Sequence, residues 1–455
     1  MPLIKFFKKL LKTPHQMPDE TTRQHCVPRQ KHRVSKSEIS VNALQVINQL
    51  LHHGYEAYLV GGSVRDLFLR KVPKDFDVST NATPQQVKKL FRNSRIIGRR
   101  FKLVHISFHR EIIEVSTFRS NQPDMDVQTN DQGMVIRDNV FGTLEQDSWR
   151  RDFTINSMYY NISNGSIIDY TRGFEDMLTK NIRVIGDPVK RYQEDPVRML
   201  RAIRFAAKLQ FNIEPASAEP IYALGDLLLH VSNARMFDEM SKIWSSEASL
   251  PAFHLLIKYN IFGKLFPWTQ ASLDKHSNAQ KFIEMALENT DTRLRDQKPT
   301  TPAFVFAIFM WFPMKDLAAT LQEEQQIHPL DALEQAMSQI FNNQCRIIGI
   351  PRRYTQLIRE IWILQYRFHK RVGNKPFALM SHARFRAAYD FLLLRALADD
   401  ETVELANWWT LFQDASESTQ QEMLAELATI PTTSKKKKRT RRPKKPLADQ
   451  GQTPS

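Results

Sequence analysis

The sequence has few of the residues that mark secreted or membrane-spanning proteins. Only two of its 455 residues are cysteines, Cys26 and Cys345, too few for a disulfide framework or a cysteine-rich zinc site. A reducing, cytoplasmic setting is therefore expected. The longest apolar run, 302–314, is too short to span a bilayer and predicts a buried core helix. Neither G-x-x-x-x-G-K-[ST] nor G-x-G-x-x-G occurs, which excludes the two commonest glycine-rich nucleotide motifs.

Positive charge is present in excess, and it is concentrated at the two ends of the chain. The net charge is +15; residues 1–36 hold nine Lys/Arg against two Asp/Glu, and residues 435–445 hold nine Lys/Arg and no acidic residue. Such ends are typically disordered, and nucleic acid is their favoured partner, with a solubility tail as the alternative. Residues 1–12 are either a mobile basic end or a short amphipathic segment with weak membrane affinity.

Hydrophobic periodicity predicts a mixed α/β head followed by a long helical region. The length favours two or three domains. Strands are predicted at 55–60, 75–79, 104–108, 111–118 and 166–170, and helices at 37–53, 84–91 and from 152 onward, with a polar loop at 120–133. From about residue 190 the periodicity is helical, at 196–209, 220–231, 234–244, 251–259, 301–312, 330–341, 354–369 and 383–396.

A double glycine follows the first predicted strand. Gly61 and Gly62 lie at a strand-to-helix turn, where the absence of side chains lets the backbone approach a ligand closely. The N-terminus of the following helix favours phosphate, and Arg65, one turn inside it, can contact phosphate oxygens. On its own, a double glycine is explained equally well by tight packing without a ligand.

Two carboxylates follow ten residues after this arginine. Asp75 and Asp77 are two positions apart on a predicted strand, so their side chains are expected on one face. Like charges this close repel each other unless a cation lies between them, and a pair of Mg²⁺ ions meets that need. A solvated acidic strand end explains an isolated pair, but the neighbouring glycines and arginine favour the metal site.

A second polar cluster contains Arg151, Asp152 and Asn156. Asp152 is either a helix cap paired with Arg151 or a further acid of the site, with Arg151 and Asn156 placed for phosphate or sugar. Glu114, on the predicted strand 111–118, competes with Asp152 for the role of third carboxylate. Spacing does not decide between the two.

A third cluster opens a predicted helix at Asp195-Pro196. Arg198, Arg201 and Arg204 recur every three residues along one side of it, and Glu194 precedes it. Such an arginine face is ordinarily solvated or paired with its acidic neighbours. Guanidinium and carboxylate groups are also suited to recognising the edge of a base.

Four ordered motifs carry a family resemblance: L-V-G-G-S-V-R-D, P-K-D-F-D-V, R-R-D-F-T-I-N and E-D-P-V-R-M-L-R-A-I-R-F. Together they resemble the class II nucleotidyltransferases, which comprise bacterial poly(A) polymerases and tRNA CCA-adding enzymes. N-A-T-P-Q-Q-V, G-R-R-F-K-L-V-H and F-R-A-A-Y-D-F-L-L-L-R-A are similar to the poly(A) polymerase branch. The His-Asp doublet that some CCA-adding enzymes append does not occur.

The resemblance implies an α+β fold with a small mixed-sheet nucleotidyltransferase head. The domains it implies are a flexible basic N-terminal segment (1–36), the head (37–185), a helical neck that binds nucleotide and RNA (186–250), a helical RNA-binding body (251–430) and a disordered basic tail (431–455). It implies that Asp75 and Asp77 bind two catalytic Mg²⁺ ions and that Asp152 joins them. It also implies that Gly61, Gly62 and Arg65 hold the triphosphate of ATP and that Glu194, Asp195, Arg198 and Arg201 lie against its base. Arg151 and Asn156 are the remaining predicted ATP-binding residues.

The activity implied is template-independent addition of AMP from ATP to RNA 3′ ends, in RNA processing and decay. A CCA-adding enzyme is the alternative, and a non-catalytic RNA-binding scaffold is disfavoured because the unpaired carboxylates would be a liability without metal. RNA 3′ ends are the expected partner. RNA-decay or RNA-chaperone proteins, and a membrane contacted through residues 1–12, are further candidate partners.

Overall fold

The computed structural model describes residues 25–98, 102–120, 140–398 and 402–429, and the backbone of 128–129 and 135–137. The basic segment 1–12, most of the predicted loop 120–133 and the tail 435–445 lie outside the described residues. Within them, a mixed-sheet head precedes a long series of helices, which confirms the predicted α+β class.

The head is built on one eight-stranded sheet. The strands are β1 (His25–Val27), β2 (Ala57–Val60), β3 (Asp77–Thr80), β4 (Ser94–Ile97), β5 (Leu103–Phe108), β6 (Glu111–Thr117), the short pair β7 (Gln128–Thr129) and β8 (Val135–Arg137), β9 (Met158–Tyr160) and β10 (Ile167–Asp169). All but β7 and β8 join the sheet, in the order β1-β10-β9-β2-β3-β6-β5-β4. β3 pairs with β6 in parallel and with β2 antiparallel, so β3 lies near the middle of the sheet.

The described part of the head also contains five short α-helices. They are α1 (Val41–His52), α2 (Gly62–Phe68), α3 (Pro84–Leu90), α4 (Leu144–Arg150) and α5 (Gly173–Thr179). Ser40 caps α1, and capping boxes that begin at Thr83 and Thr143 start α3 and α4. The buried stripe of α1 joins the apolar core of the head.

The neck and body are helical. Their helices are α6 (Pro188–Glu194), α7 (Val197–Leu209), α8 (Pro215–Leu224), α9 (Asn233–Trp244), α10 (Ser249–Lys258), α11 (Phe262–Leu265), α12 (Pro267–Lys275), α13 (Ala279–Arg295), α14 (Pro302–Phe309), α15 (Trp311–Gln325), α16 (Pro329–Gln344), α17 (Arg352–Phe368), α18 (Lys375–Met380), α19 (Phe385–Ala398), α20 (Val403–Asp414) and α21 (Glu417–Thr429). A parallel pair, β11 (Asn181–Ile182) and β12 (Asn212–Ile213), ties the end of the head to the neck. One apolar core runs from the head through the neck into the body.

The apolar run 302–314 forms α14 and the start of α15 rather than one helix. Most of its large side chains are buried, as predicted, and Phe304 is partly buried. No single helix among the described residues is long and apolar enough to cross a membrane. The bent pair α14–α15, with a 47° angle at its break, satisfies length and composition only when the two helices are taken together.

Three local predictions were wrong. Residues 25–27, assigned to the flexible segment 1–36, form the edge strand β1 by pairing with β10. Asp75 precedes β3 rather than lying on it, so the same-face argument for the Asp75/Asp77 pair does not hold. Asp152 does not open a helix: α4 ends at Arg150, and a short 3₁₀ turn follows at Thr154–Asn156. The interrupted backbone is explained by the strand β9, which starts at Met158 and forces the chain into the sheet.

Candidate active site

The double glycine forms the turn between β2 and α2. Gly61 has φ +75°, a left-handed value that favours glycine. A Cβ added at Gly61 would lie 3.6 Å from Nη1 of Arg151 and 3.8 Å from Oδ2 of Asp77. The structure therefore brings together the glycine turn, one predicted carboxylate and one predicted arginine at the end of β2.

Carboxylates converge beside this turn. Asp77 starts β3 and is in register with Glu114 on the parallel strand β6. Burial, together with the charges of Glu114 and Asp75, raises the pKa of Asp77 to about 6, although Arg151 opposes the shift. His105 forms a 3.3 Å hydrogen bond with Glu114 through Nε2. The acidic cluster formed by Asp75, Asp77 and Glu114 is thus under mutual repulsion that a bound cation would relieve.

The donor set suits Mg²⁺ held jointly with a substrate. In the described part of the chain, no three His, Cys, Asp or Glu side chains are close enough to form a complete ligand set. Mg²⁺ is commonly held by one or two carboxylates, with substrate phosphates and water completing its octahedron. Asp75 and Asp77 fit that pattern because Asp75 is exposed and Asp77 is accessible only in part.

Asp152 is bonded to the neck and to its own segment of the head. Its Oδ2 accepts from Arg201 Nε at 2.8 Å, and its Oδ1 accepts from the backbone of Phe153 and from the side chain of Asn156. Burial alone would raise its pKa, but the ion pair and hydrogen bonds from Arg201 and the hydrogen bond from Asn156 hold the pKa well below its usual range. Both carboxylate oxygens are therefore occupied at the junction between head and neck.

Arg65 is enclosed at the same junction. Its Nη1 donates to Asn156 Oδ1 at 2.6 Å, and its Nε and Nη2 donate to Asp66. Its guanidinium lies 5.1 Å from the ring centre of Phe205 on α7, and the residue is 4% exposed. Phosphate contact through Arg65 stays a prediction, and it would require these partners to be exchanged.

The predicted base-binding residues lie close to one another. Glu194 accepts from Arg191 at 2.9 Å and from Arg198 at 3.5 Å. Asp195, in the gap between α6 and α7, accepts from Arg235 on α9 at 2.7 Å. Arg201, the fourth predicted base-binding residue, is instead bonded to Asp152.

A cluster of arginines faces the site from the head and the neck. Arg191 donates from Nη2 to the carbonyls of Arg150 and Arg151, and Arg198 donates from Nη1 to the carbonyl of Arg191. Burial and the charges of the surrounding arginines, including Arg119, pull the pKa of Arg150 well below its usual range. Guanidinium groups stay charged at neutral pH, so this repulsion is relieved by an anion.

Sequence reasoning missed Asp147, Tyr159, Arg119 and Arg191. Asp147 is 7% exposed and forms an ion pair with Arg151 at 3.1 Å. The spacing of these two residues, i and i+4, is a recognised pairing signal in a sequence. The other residues gave no comparable signal, because only the sheet and the α6–α7 corner bring them to the site.

Three family models match the chain. They are described as "Poly A polymerase head domain" (residues 57–183), "Probable RNA and SrmB-binding site of polymerase A" (residues 210–273) and "Polymerase A arginine-rich C-terminus" (residues 325–445).

Similar proteins span nearly the whole chain. Poly(A) polymerase I of Salmonella typhi is 44% identical over 425 residues, which is 91% of each chain. Poly(A) polymerase I of Escherichia coli O6:H1 is 45% identical over 428 residues, 92% of this chain and 91% of its own. The CCA-adding enzyme of Bacillus subtilis is 36% identical over 228 residues, about half of each chain.

Among solved structures, the Bacillus stearothermophilus CCA-adding enzyme in complex with CTP has a TM-score of 0.56 and 24% identity, covering 85% of this chain and 82% of its own. A tRNA-processing enzyme in an apo form has a TM-score of 0.57 and 20% identity, covering 84% and 99%. At these identities the likeness concerns the fold alone. The near-full-length relatives decide the family: this chain belongs to the poly(A) polymerases, a branch of the nucleotidyltransferases.

Proposed function

We propose that the site at the end of β2 transfers AMP from ATP to the 3′-hydroxyl of RNA without a template. The observation that carries this proposal is the approach of Asp77 and Arg151 to the Gly61 turn. Glu114 is in register with Asp77, and Arg191 bonds the backbone of Arg150 and Arg151. A polyphosphate and divalent cations satisfy both charged groups at once. The family supports the same activity, because the near-full-length relatives are named poly(A) polymerase I.

Asp75 and Asp77 are the residues that would hold Mg²⁺. When bound, two such ions lower the pKa of the attacking hydroxyl and stabilise the charge on the pyrophosphate leaving group. Glu114 is assigned as the third carboxylate, since it lies in register with Asp77 while Asp152 is occupied by Arg201. In that position Glu114 raises the negative charge around the Asp pair and so favours cation binding.

The arginine cluster orients the triphosphate. Arg150, Arg191 and Arg198 supply positive charge, and the carbonyl bonds between them hold their relative positions. Arg151 contributes a guanidinium nitrogen close to the Gly61 turn. In-line attack needs the α-phosphate fixed between the carboxylates and the departing pyrophosphate, and these side chains provide the positioning.

Base choice is assigned to the corner between α6 and α7. Glu194, Asp195 and Arg198 present acceptors and donors in one place, with Arg191 and Arg235 limiting their freedom. Fixed polar groups of this kind discriminate against a base whose donors and acceptors do not match. Selection of ATP over CTP then requires no nucleic-acid template.

RNA is proposed to lie along the neck and body, with residues 1–36 and 435–445 adding sequence-independent attraction. The chain is proposed to work in the cytoplasm. RNA-decay or RNA-chaperone proteins, and a membrane contacted weakly through residues 1–12, are proposed as further partners.

A primer-extension assay tests the activity. The full chain is incubated with Mg²⁺, a labelled RNA primer and each nucleoside triphosphate separately. We expect long A-only products from ATP and loss of incorporation in Asp77→Ala, with RNA binding and melting temperature retained. CTP incorporation onto tRNA lacking its end, with arrest after three nucleotides, would instead identify a CCA-adding enzyme. Full activity in Asp77→Ala would refute the proposed site.

A further inference from the structure

The buried carboxylate of Asp147 collects hydrogen bonds from the elements that surround the site. Its Oδ1 accepts from the backbone N–H of Arg119 at 3.2 Å. Its Oδ2 accepts from Tyr159 Oη at 2.7 Å, from Arg151 Nη2 at 3.1 Å and from Ser79 Oγ at 3.4 Å. One side chain on α4 therefore contacts β3, β9 and Arg119, which lies two residues beyond the end of β6.

Asp147, Tyr159 and Arg151 close a hydrogen-bonded triangle. Arg151 Nε donates to Tyr159 Oη at 2.9 Å, and the Tyr159 hydroxyl in turn donates its one hydrogen bond to Asp147. The guanidinium also lies 5.1 Å from the centre of the Tyr159 ring. Two of the three guanidinium nitrogens are thereby fixed, which leaves Nη1 beside the position of a Gly61 Cβ, 3.6 Å away.

The triangle holds its protons at neutral pH. Burial and the charge of Asp147 raise the pKa of Tyr159 well above its usual range, so its hydroxyl stays protonated although Arg151 opposes the shift. Asp147 balances the charge of Arg151, so the contribution of Arg151 depends on where Nη1 points rather than on added net charge. Net positive charge comes instead from the neighbouring arginine cluster.

We propose that Asp147 and Tyr159 are positioning residues that aim Arg151 Nη1 at the phosphates of a nucleotide bound at the Gly61–Gly62 turn. The inference rests on the proposed function of that turn. It assigns a role in ATP binding to two side chains that touch neither nucleotide nor metal. A guanidinium released from the triangle loses its direction, so triphosphate binding weakens while binding of the adenosine moiety does not.

Equilibrium binding to the full chain tests this separation, with ATP, inorganic tripolyphosphate and AMP as probes at constant Mg²⁺. In Tyr159→Phe and in Asp147→Asn we expect ATP and tripolyphosphate to bind about ten- to a hundredfold more weakly, the range for losing a hydrogen bond to a charged group. AMP affinity should change by less than about threefold. A purely structural role would move all three probes together or none of them.

The chain offers matched controls. Tyr160→Phe removes a neighbouring buried tyrosine hydroxyl from β9, and Asp169→Asn alters a buried carboxylate that bonds Thr171 and Phe174 on the far side of the sheet. Both controls should bind all three probes as the wild type does. The Tyr159→Phe/Asp147→Asn double variant should lose no more affinity than the weaker-binding single variant, because the residues act as one unit.

The melting temperatures of all variants distinguish a loss of folding from a loss of the Arg151 orientation in a folded chain. Tyr159→Phe removes only the hydroxyl and keeps the ring packed. It therefore still tests the inference if Asp147→Asn does not fold. Unchanged tripolyphosphate affinity in folded Tyr159→Phe, or an equal loss for AMP, would overturn the inference. The binding measurement does not require catalysis. A wild-type chain that binds tripolyphosphate but does not extend RNA would therefore refute the proposed function without refuting the positioning role.

Discussion

Replacing Asp152 by asparagine tests whether this carboxylate acts in the chemistry or joins the head to the neck. The change preserves the shape of the side chain and removes its charge, which leaves Arg201 without its ionic partner. Removing one partner of a buried ion pair costs about 3–5 kcal/mol. Because the Arg201 side chain is 31% exposed, solvent offsets part of this loss, and we expect about 2–3 kcal/mol.

Thermal unfolding measures the effect. For a unit of about 150–250 residues, each kcal/mol lowers the melting temperature by about 2–4 °C, so Asp152→Asn should melt about 5–10 °C lower. Arg201→Gln should melt lower by a similar amount, and the double variant should lose less than the sum of the two. Asp296→Asn, which breaks the exposed pair with Lys298, is the control and should change little.

The pH dependence of stability has a defined sign. The pKa of Asp152 in the folded chain lies below its usual range, so the ion pair stabilises the protein above about pH 4 and this contribution is lost as the pH falls through the folded value. Asp152→Asn should therefore show a weaker loss of stability on acidification. An unchanged melting temperature combined with a kcat reduced about a thousandfold would refute the structural role and make Asp152 a catalytic acid.

Three further perturbations follow from the site and the charged ends. Glu114→Gln should reduce kcat about a hundredfold or more at saturating ATP while leaving RNA affinity unchanged, which steady-state kinetics and a binding titration check. Phe205→Leu should destabilise the head–neck junction by about 2 kcal/mol in urea unfolding, because Arg65, Arg201 and Arg204 all lie within 5.5 Å of its ring centre. Deleting 435–455 should make the slope of log K for RNA binding against log salt concentration less negative by about 0.7 for each lysine or arginine that contacts phosphate. An identical slope would show that the tail does not contact the RNA.

The sequence anticipated the head because its local signals are strong. The capping box at Thr83 fixed the start of α3, and the alternating runs in 104–118 fixed the β5–β6 hairpin. The predicted secondary structure was wrong where pairing in the sheet overrides the local preference of the residues. Asp152 resembles a helix cap by residue type, yet the chain at that point is entering β9, so the helix belongs before it.

The polar network of the site was less accessible to sequence reasoning. Glu114, on a predicted strand, and Asp152, at the start of a predicted helix, were both candidates for the third carboxylate, and spacing did not decide between them. The structure gives the two residues different surroundings. The parallel pairing of β3 with β6 sets Glu114 beside Asp77, whereas Asp152 is bonded to Arg201 on α7. Arg65 was expected to face phosphate, but packing of the neck against the head encloses it between Asn156 and Phe205.

The sequence by itself determined the family and the class of fold, because these depend on short motifs whose residues are neighbours in the chain. Tertiary structure decided how those residues are used. The contacts Asp77–Glu114, Asp152–Arg201 and Arg191–Arg150 join positions between 37 and 49 residues apart. Such pairs meet only through strand register and helix packing, and no local periodicity encodes them. The triangle likewise forms only in the folded chain, where Asp147 on α4 meets Tyr159 on β9.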